Sequence, residues 1–265
     1  MRIVIPIKQV PETGNVKMDE ETGTMIREGV ESIINPLDLY AIEVGIRIKE
    51  QFGGEIIVLS MGPQKAMEAI REAIAMGCDQ GVLISDRKFG GADTWATSYT
   101  LSQAVKKIGK FDLILCGERA TDGDTGQVGP GIASFLDLPL STFTSEIVYI
   151  DERMAQIKRL VEGGYELLEL PLPCLLTVVK EISDPRLPTL RGKQKAKKID
   201  IPIWGPDDIE ADPSNIGLKG SPTRVVKTFH PQVSRNGKKL VARDAESINK
   251  AVGELVEFLK DRQLI

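Results

Sequence analysis

The sequence predicts an α/β protein: a mostly parallel, doubly wound sheet with a short-strand extension and a C-terminal arm. Three observations lead there. As far as Leu140, apolar runs of strand length alternate with helix-length segments, which implies parallel pairing through right-handed crossovers. Those runs are continuously apolar, so both faces of the sheet are covered. After Leu140 strand follows strand, and after Ser183 the chain turns proline-rich, basic and weakly hydrophobic.

The elements follow in order. RIVIPIK from Arg2, EIIVLS from Glu55, GVLIS from Gly81 and FDLILC from Phe111 read as strands. Between the first two, Leu37, Tyr40, Ala41, Val44 and Ile48 recur at helical spacing. Asn35 suits the N-cap, Pro36 the first helical position and Gly53 the stop. PQKAMEAIREAIAMGC gives a second helix ending at Gly77. ADTWATSYTLSQAVKKIGK gives a third, with Asp93 or Thr94 as cap and Gly109 as stop. Beyond Leu140 several short strands are expected, turning at Asp151-Glu152 and Gly163-Gly164. AESINKAVGELVEFLKDR closes the chain as an amphipathic helix. The expected division is a core with its extension over 1–182 and a partner-binding arm over 183–265.

Composition narrows the function. The chain has 265 residues, 42% hydrophobic and 27% charged, values of an ordinary globular protein. A net charge of −4 gives no reason to expect nucleic acid as a partner. Three scattered cysteines, Cys78, Cys116 and Cys174, make no metal spacing and suit a reducing compartment. The opening MRIVIPIKQVPE is too short and too soon charged for a secretory signal. No run approaches the ~20 apolar residues of a membrane span. A cytoplasmic protein without membrane insertion is expected.

The most informative stretch is GERATDGDTGQVGPGIASFL, Gly117–Leu136, a loop leading from a strand into a helix. In open α/β sheets such loops at the strands' carboxyl ends bind ligands. Exposed amides near Thr125–Val128 would receive a phosphate, while Asp122 and Asp124 would bond hydroxyls or steady the turn. Such chemistry suits a nucleotide, and an ordinary turn followed by a helix entry reads equally well. Neither G-x-G-x-x-G nor G-x-x-x-x-G-K-[ST] occurs. His230 is the sole histidine and lies in a polar tail, where a solvated residue is expected and not a base. Cys116 and Cys174 sit in apolar runs as core residues. The basic stretch Arg191–Lys198 reads as a solvated helix face, a docking segment or a nucleic-acid patch, the last the weakest because the stretch has no aromatic residue. No nucleophile or acid–base set is left, so any chemistry needs a bound cofactor.

Nearly the whole chain resembles the beta subunit of electron transfer flavoproteins. The resemblance rests on IVIPIKQVPE with NPLD, on SMGP, and on AIAMGCDQGVLI. It rests also on IKRLVEGGYELLELPLPCLLT, Ile157–Thr177, with Arg159, Glu162, Gly163, Gly164, Glu166 and Pro173 in their places. DPRLPTLRGKQKAKK resembles the family's partner-recognition loop and places Leu190 at its anchor leucine. The resemblance implies an adenine-nucleotide-binding fold of the HUP-like type and a heterodimer with an alpha subunit. Conventional members bind AMP in the beta subunit. Electron-bifurcating members bind FAD there, accept hydride from NADH, and pass electrons to the alpha-subunit FAD and to ferredoxin. DGDTGQVGP resembles the bifurcating pattern D-G-D-T-A-Q-V-G-P, departing at Gly126, where the lost methyl is expected to loosen the turn slightly.

Carried over residue by residue, the resemblance implies cofactor contacts from four places. They are Pro6 of the first strand; Asn35, Pro36, Leu37 and Asp38 of NPLD; Met61 of SMGP; and Asp93, Thr94 and Thr97 of GADTWATS. The loop itself adds Gly117, Glu118, Arg119, Ala120, Thr121, Asp122, Gly123, Asp124, Thr125, Gly126, Gln127 and Val128. It implies no catalytic side chain and no metal. A flavin-dependent dehydrogenase is the implied downstream partner. The alternative within the family is a non-redox subunit that holds AMP.

Overall fold

The computed structural model describes residues 1–12, 17–18, 25–26, 32–226 and 237–265. The chain divides into two units, Met1–Val226 and Lys227–Ile265. His230 lies outside the described residues.

Nine strands of the first unit form one sheet. They are β1 (Arg2–Ile7), β2 (Glu55–Met61), β3 (Gln80–Ile84), β4 (Leu113–Gly117), β5 (Leu140–Ile150), β6 (Met154–Val161), β7 (Gly164–Pro171), β8 (Cys174–Val178) and β9 (Ile203–Trp204). Their spatial order is β7-β6-β5-β8-β4-β1-β2-β3-β9. Every pairing is parallel except β5–β6 and β6–β7. The helices are α1 (Pro36–Phe52), α2 (Met67–Met76), α3 (Thr94–Ile108), α4 (Val128–Leu136), α5 (Leu190–Lys198) and the single turn α6 (Gly217–Gly220).

Strand side chains alternate between two apolar layers, as expected for a sheet covered on both faces. Ile3, Ile5, Ile56 and Leu115 pack under α1 and α2 with Ile42, Ile46, Ile70 and Ile74. Val4, Leu59 and Ile114 pack under α3 and α4 with Leu101, Val105 and Ile132. Helix ends are where glycine allows them to be, since Gly53 (φ 69°), Gly77 (φ 146°) and Gly109 (φ 86°) terminate α1, α2 and α3. The chain leaves β1 through α1 toward β2, but returns from β3 through α3 to β4 on the other side. A crevice between the carboxyl ends of β1 and β4 is the consequence.

Two expectations are corrected. The strands beyond Leu140 are not short: β5 runs for 11 residues and β6 and β7 for 8 each, and they continue the same sheet. The chain beyond Ser183 is not all arm. α5 packs on α2, and β9 extends the sheet beside β3, so the first unit reaches Val226. Composition hid this because α5 buries small residues: Ala196 is 4% exposed, and a Cβ on Gly192 would meet Ala75 O. Its lysines stay on the surface. The second unit holds α7 (Ala245–Asp261), started by a capping box between Asp244 and Ser247, with Ile248, Val252, Leu255 and Phe258 half exposed.

Candidate functional site

The crevice opens where the β1–β4 ladder stops. Met1 O accepts from Glu55 N and Arg2 O from Asp112 N, so alternate residues of β1 face β2 and β4. Pro6 falls on the β4 side and has no N–H to give. Pairing with β4 runs no further than Val4–Ile114, whereas pairing with β2 extends from Arg2 to Ile7. The next amide on that side, Lys8 N, donates instead to Asp38 Oδ2 at 2.8 Å.

Asp38 forms the floor of the crevice. It is 6% exposed, and burial pushes its carboxyl up to about 7, against hydrogen bonds from Lys8, Asn35 and Gly117 and the Lys8 charge. A Cβ on Gly117 would lie 2.5 Å from Asp38 Oδ1 and 2.7 Å from the Leu37 carbonyl carbon. Only glycine lets the end of β4 approach the first turn of α1 so closely.

Asn35 occupies the N-cap position of α1 but makes no side-chain cap. That expectation is corrected: its amide is committed elsewhere. Nδ2 donates to Arg119 O (2.9 Å), and Oδ1 accepts from Thr121 N (3.1 Å). The loop is tied again from outside by Lys8 Nζ on Asp122 Oδ1 (2.7 Å) and by Arg119 Nε on Asp124 Oδ1 (3.0 Å). Both loop carboxylates are therefore paired within the protein. Asp124 (φ 54°) and Gly126 (φ 62°) adopt left-handed backbone. Glycine at 126 thus suits the turn better than alanine would, a correction to the loosening expected from sequence.

Thr125 does not cap α4; Gln127 holds the N-cap position, without a side-chain bond. The first N–H groups of α4 carry no cap and face the loop as a partial positive charge. Gln127 Oε1 instead accepts from Thr94 Oγ1 at 2.8 Å, joining the start of α3 to the start of α4. Gly131 brings the two helices together, since a Cβ there would meet Ser98 Oγ. Asp93 is the cap of α3, and its carboxylate is fully used. Oδ1 accepts from Ala96 N (3.0 Å), and Oδ2 from Thr223 N and Oγ1 (2.9 and 2.7 Å). These bonds hold its carboxyl below the usual range despite burial.

The structure thus brings Asn35, Leu37 and Asp38 against Gly117, Arg119 and Thr121, and Thr94 against Gln127. Met61 ends the neighbouring strand β2, and Thr97 lies a turn inside α3 with its N–H on Asp93 O; neither has a side-chain bond to the loop. The cysteines are buried core residues as expected, with Cys78 and Cys174 thiols pushed up to about 12 by burial and Cys116 pushed up likewise. Among the described residues no group of acidic, cysteine or histidine side chains could hold a metal ion.

At the stretch expected to dock a partner, Leu190 and Leu187 are 82% and 85% exposed. Between Ser183 and Thr189 the chain has no regular structure, yet Arg186 pins it to α1. Its Nε and Nη2 donate to Glu43 (2.8 and 3.0 Å), and its Nη1 and Nη2 to Glu50 (2.5 and 3.0 Å). Glu43 is 2% exposed, and Arg186 with Arg47 holds its carboxyl low despite burial. Arg186 and Lys8 are the residues that sequence reasoning missed. A charged residue inside an apolar helix face, such as Glu43, was the available signal for the first.

Comparison with known proteins shows the family. Residues 22–209 match the electron transfer flavoprotein domain. The chain is 47% identical over its full length to the whole of the caffeyl-CoA reductase-Etf complex subunit CarD of Acetobacterium woodii. It is 46% identical, again over both full lengths, to the electron transfer flavoprotein subunit beta of Thermoanaerobacterium thermosaccharolyticum.

The chain belongs to the electron transfer flavoprotein family, as a beta subunit.

Protein FixA of Azotobacter vinelandii is 41% identical to this beta subunit, over 97% of the chain and 94% of FixA. A beta subunit implies an alpha subunit as partner. Among the described residues no helix is long and apolar enough to cross a membrane.

Do the residues of the crevice fit a nucleotide? The uncapped start of α4 supplies amides, the left-handed turn at Gly126 lets backbone come close, and a Cβ on Gly123 would meet only open space. Lys8 and Arg119 pair with Asp122 and Asp124 of the loop. They fit.

Proposed function

We propose that this beta subunit binds FAD in the β1–β4 crevice and forms the NADH-oxidising half of an electron-bifurcating flavoprotein. The observation that carries the reading is the uncapped start of α4 beneath a glycine-rich loop that buried Asn35 holds over the crevice. Bound there, FAD supplies a two-electron acceptor for NADH and a one-electron donor toward a second flavin. The protein's own part is positional. The amides from Thr125 onward receive phosphate, and Lys8 with Arg119 offsets the charge of Asp122 and Asp124. Asp38 keeps a proton at its carboxyl up to about neutral pH. Pro36, Leu37, Met61, Thr94 and Thr97 complete the proposed lining, with buried Asn35 holding the loop from behind.

The bifurcating form is favoured by the DGDTGQVGP loop and by the likeness to CarD, a subunit of a reductase–Etf complex. Ferredoxin is then the low-potential acceptor. Exposed Leu190, with Leu187 beside it, serves as the docking point for a flavin-dependent dehydrogenase. Three free cysteines suit a cytoplasmic location. The second reading, AMP in a non-redox subunit, is favoured by the same amides, since AMP also presents a phosphate. Heat release of the bound nucleotide from the purified heterodimer separates the two. Two flavins per heterodimer support the proposal; one flavin with one AMP overturns it.

A further inference from the structure

We infer that Asn35 is a positioning residue for the nucleotide loop, acting through backbone and not by touching the nucleotide. The inference rests on the crevice being the nucleotide site. Asn35 is fully buried, and both ends of its amide hold the loop, Nδ2 donating to Arg119 O and Oδ1 accepting from Thr121 N, while the side chain also hydrogen-bonds Asp38 in the first turn of α1. Its own backbone is fixed as firmly, with Asn35 N on Lys8 O (2.8 Å) and Asp38 N on Asn35 O (2.9 Å). The side chain therefore reads the position of the β1 terminus and the first turn of α1 and transfers it to residues 119–121.

The loop needs this hold because it has little else. Residues 121–125 are exposed, and between the bond of Glu118 N to Val178 O at the loop's start and that of Thr94 Oγ1 to Gln127 Oε1 at its end the other ties are the short turn bonds of Gly123 and Asp124 onto Ala120 and two surface ion pairs. Exposed pairs contribute little to holding a loop in one geometry. A buried amide that satisfies one carbonyl and one N–H on either side of a single residue fixes both the height and the direction of the chain there. From that point six residues, 122–127, lead to the amides at the start of α4. An aspartate would repel the Arg119 carbonyl, and a hydroxyl is too short to reach both groups, which is the physical reason for asparagine.

The test uses the alpha–beta heterodimer freed of nucleotide, with FAD and AMP as separate titrants. Asn35→Ala should weaken binding about tenfold or more, the equivalent of the two hydrogen bonds to the loop that it removes. Amide exchange over residues 119–128 should rise while β1 and β4 stay protected. Should Asn35→Ala fail to assemble, Thr121→Pro removes the same N–H from the exposed side and should weaken binding severalfold. Affinity within twofold of wild type in a folded variant, with unchanged exchange in the loop, would overturn the inference whatever happens to the melting temperature. Failure of the flavin reading looks different: wild type then binds AMP and not FAD, and the variant's AMP affinity still tests Asn35.

Discussion

Two irregular segments carry this subunit's proposed work, and they are held by opposite chemistry. The crevice loop from Gly117 to Gln127 hangs on a neutral amide, with its carboxylates paired only at the surface. The docking segment from Ser183 to Thr189 hangs on one guanidinium set into two carboxylates, one of them buried. The difference follows from what each must face. A loop awaiting phosphate gains from uncharged anchors that leave its amides free. A segment proposed to present Leu187 and Leu190 to another protein needs its base fixed while its tip stays bare.

Breaking the charged anchor should cost most. Arg186→Gln leaves the Glu43 carboxylate buried with Arg47 alone. About 3 kcal/mol of unfolding free energy should be lost, the low end for a broken buried pair because Arg186 is itself a third exposed. Denaturant titration of the heterodimer measures it. An unchanged midpoint would mean that the pair is only a surface contact.

The floor of the crevice should respond to pH in the opposite sense to an ordinary salt-bridged carboxylate. Asp38 is raised from 3.8 to about 7 by burial, so the folded state holds a proton that the unfolded chain has released. Stability from this group is full below pH 4 and falls as pH rises toward 7. Asp38→Asn removes that slope, and the variant should gain on wild type by a few kcal/mol, an upper figure, at pH 8. Parallel curves for both proteins between pH 4 and 8 would show that Asp38 ionises normally.

At the docking tip, Leu190→Ala should slow electron delivery to the dehydrogenase partner by ~2 kcal/mol of binding, with flavin content unchanged. Loss of flavin with loss of delivery would place Leu190 in the core instead, against its 82% exposure. The smallest effect belongs to the loop. Gly126→Ala at φ 62° should cost ~1 kcal/mol in the melting curve and leave the bound nucleotide in place.

Much of the frame was legible from local pattern alone. Continuous apolar strands, Pro36 at the start of α1 and the glycines at 53, 77 and 109 set the parallel core without reference to anything distant. What escaped was long-range. Asn35 has an ideal capping type at a capping position, but a partner 84 residues away captures its amide. Lys8 and Asp122 are 114 residues apart, and Arg186 and Glu43 are 143 apart, so no window of sequence contains either pair. The stretch Arg191–Lys198 looked solvated because its charges outnumber its packing residues, yet Gly192 and Ala196 suffice to seat it on α2.

The proposed site is tested most directly by counting flavins in a heterodimer carrying Thr125→Val with Gly126→Leu. Neither change touches the Asn35 bonds or the buried core, so the domain should fold, while a leucine at Gly126 strains the left-handed turn two residues before α4 and crowds Glu118 O, displacing the proposed phosphate-binding amides. If the proposed site is right, wild type holds about two flavins per heterodimer and the variant about one, with NADH oxidation falling in proportion as the hydride acceptor is lost. A variant that keeps both flavins and full NADH oxidation would contradict it and leave the loop a structural turn.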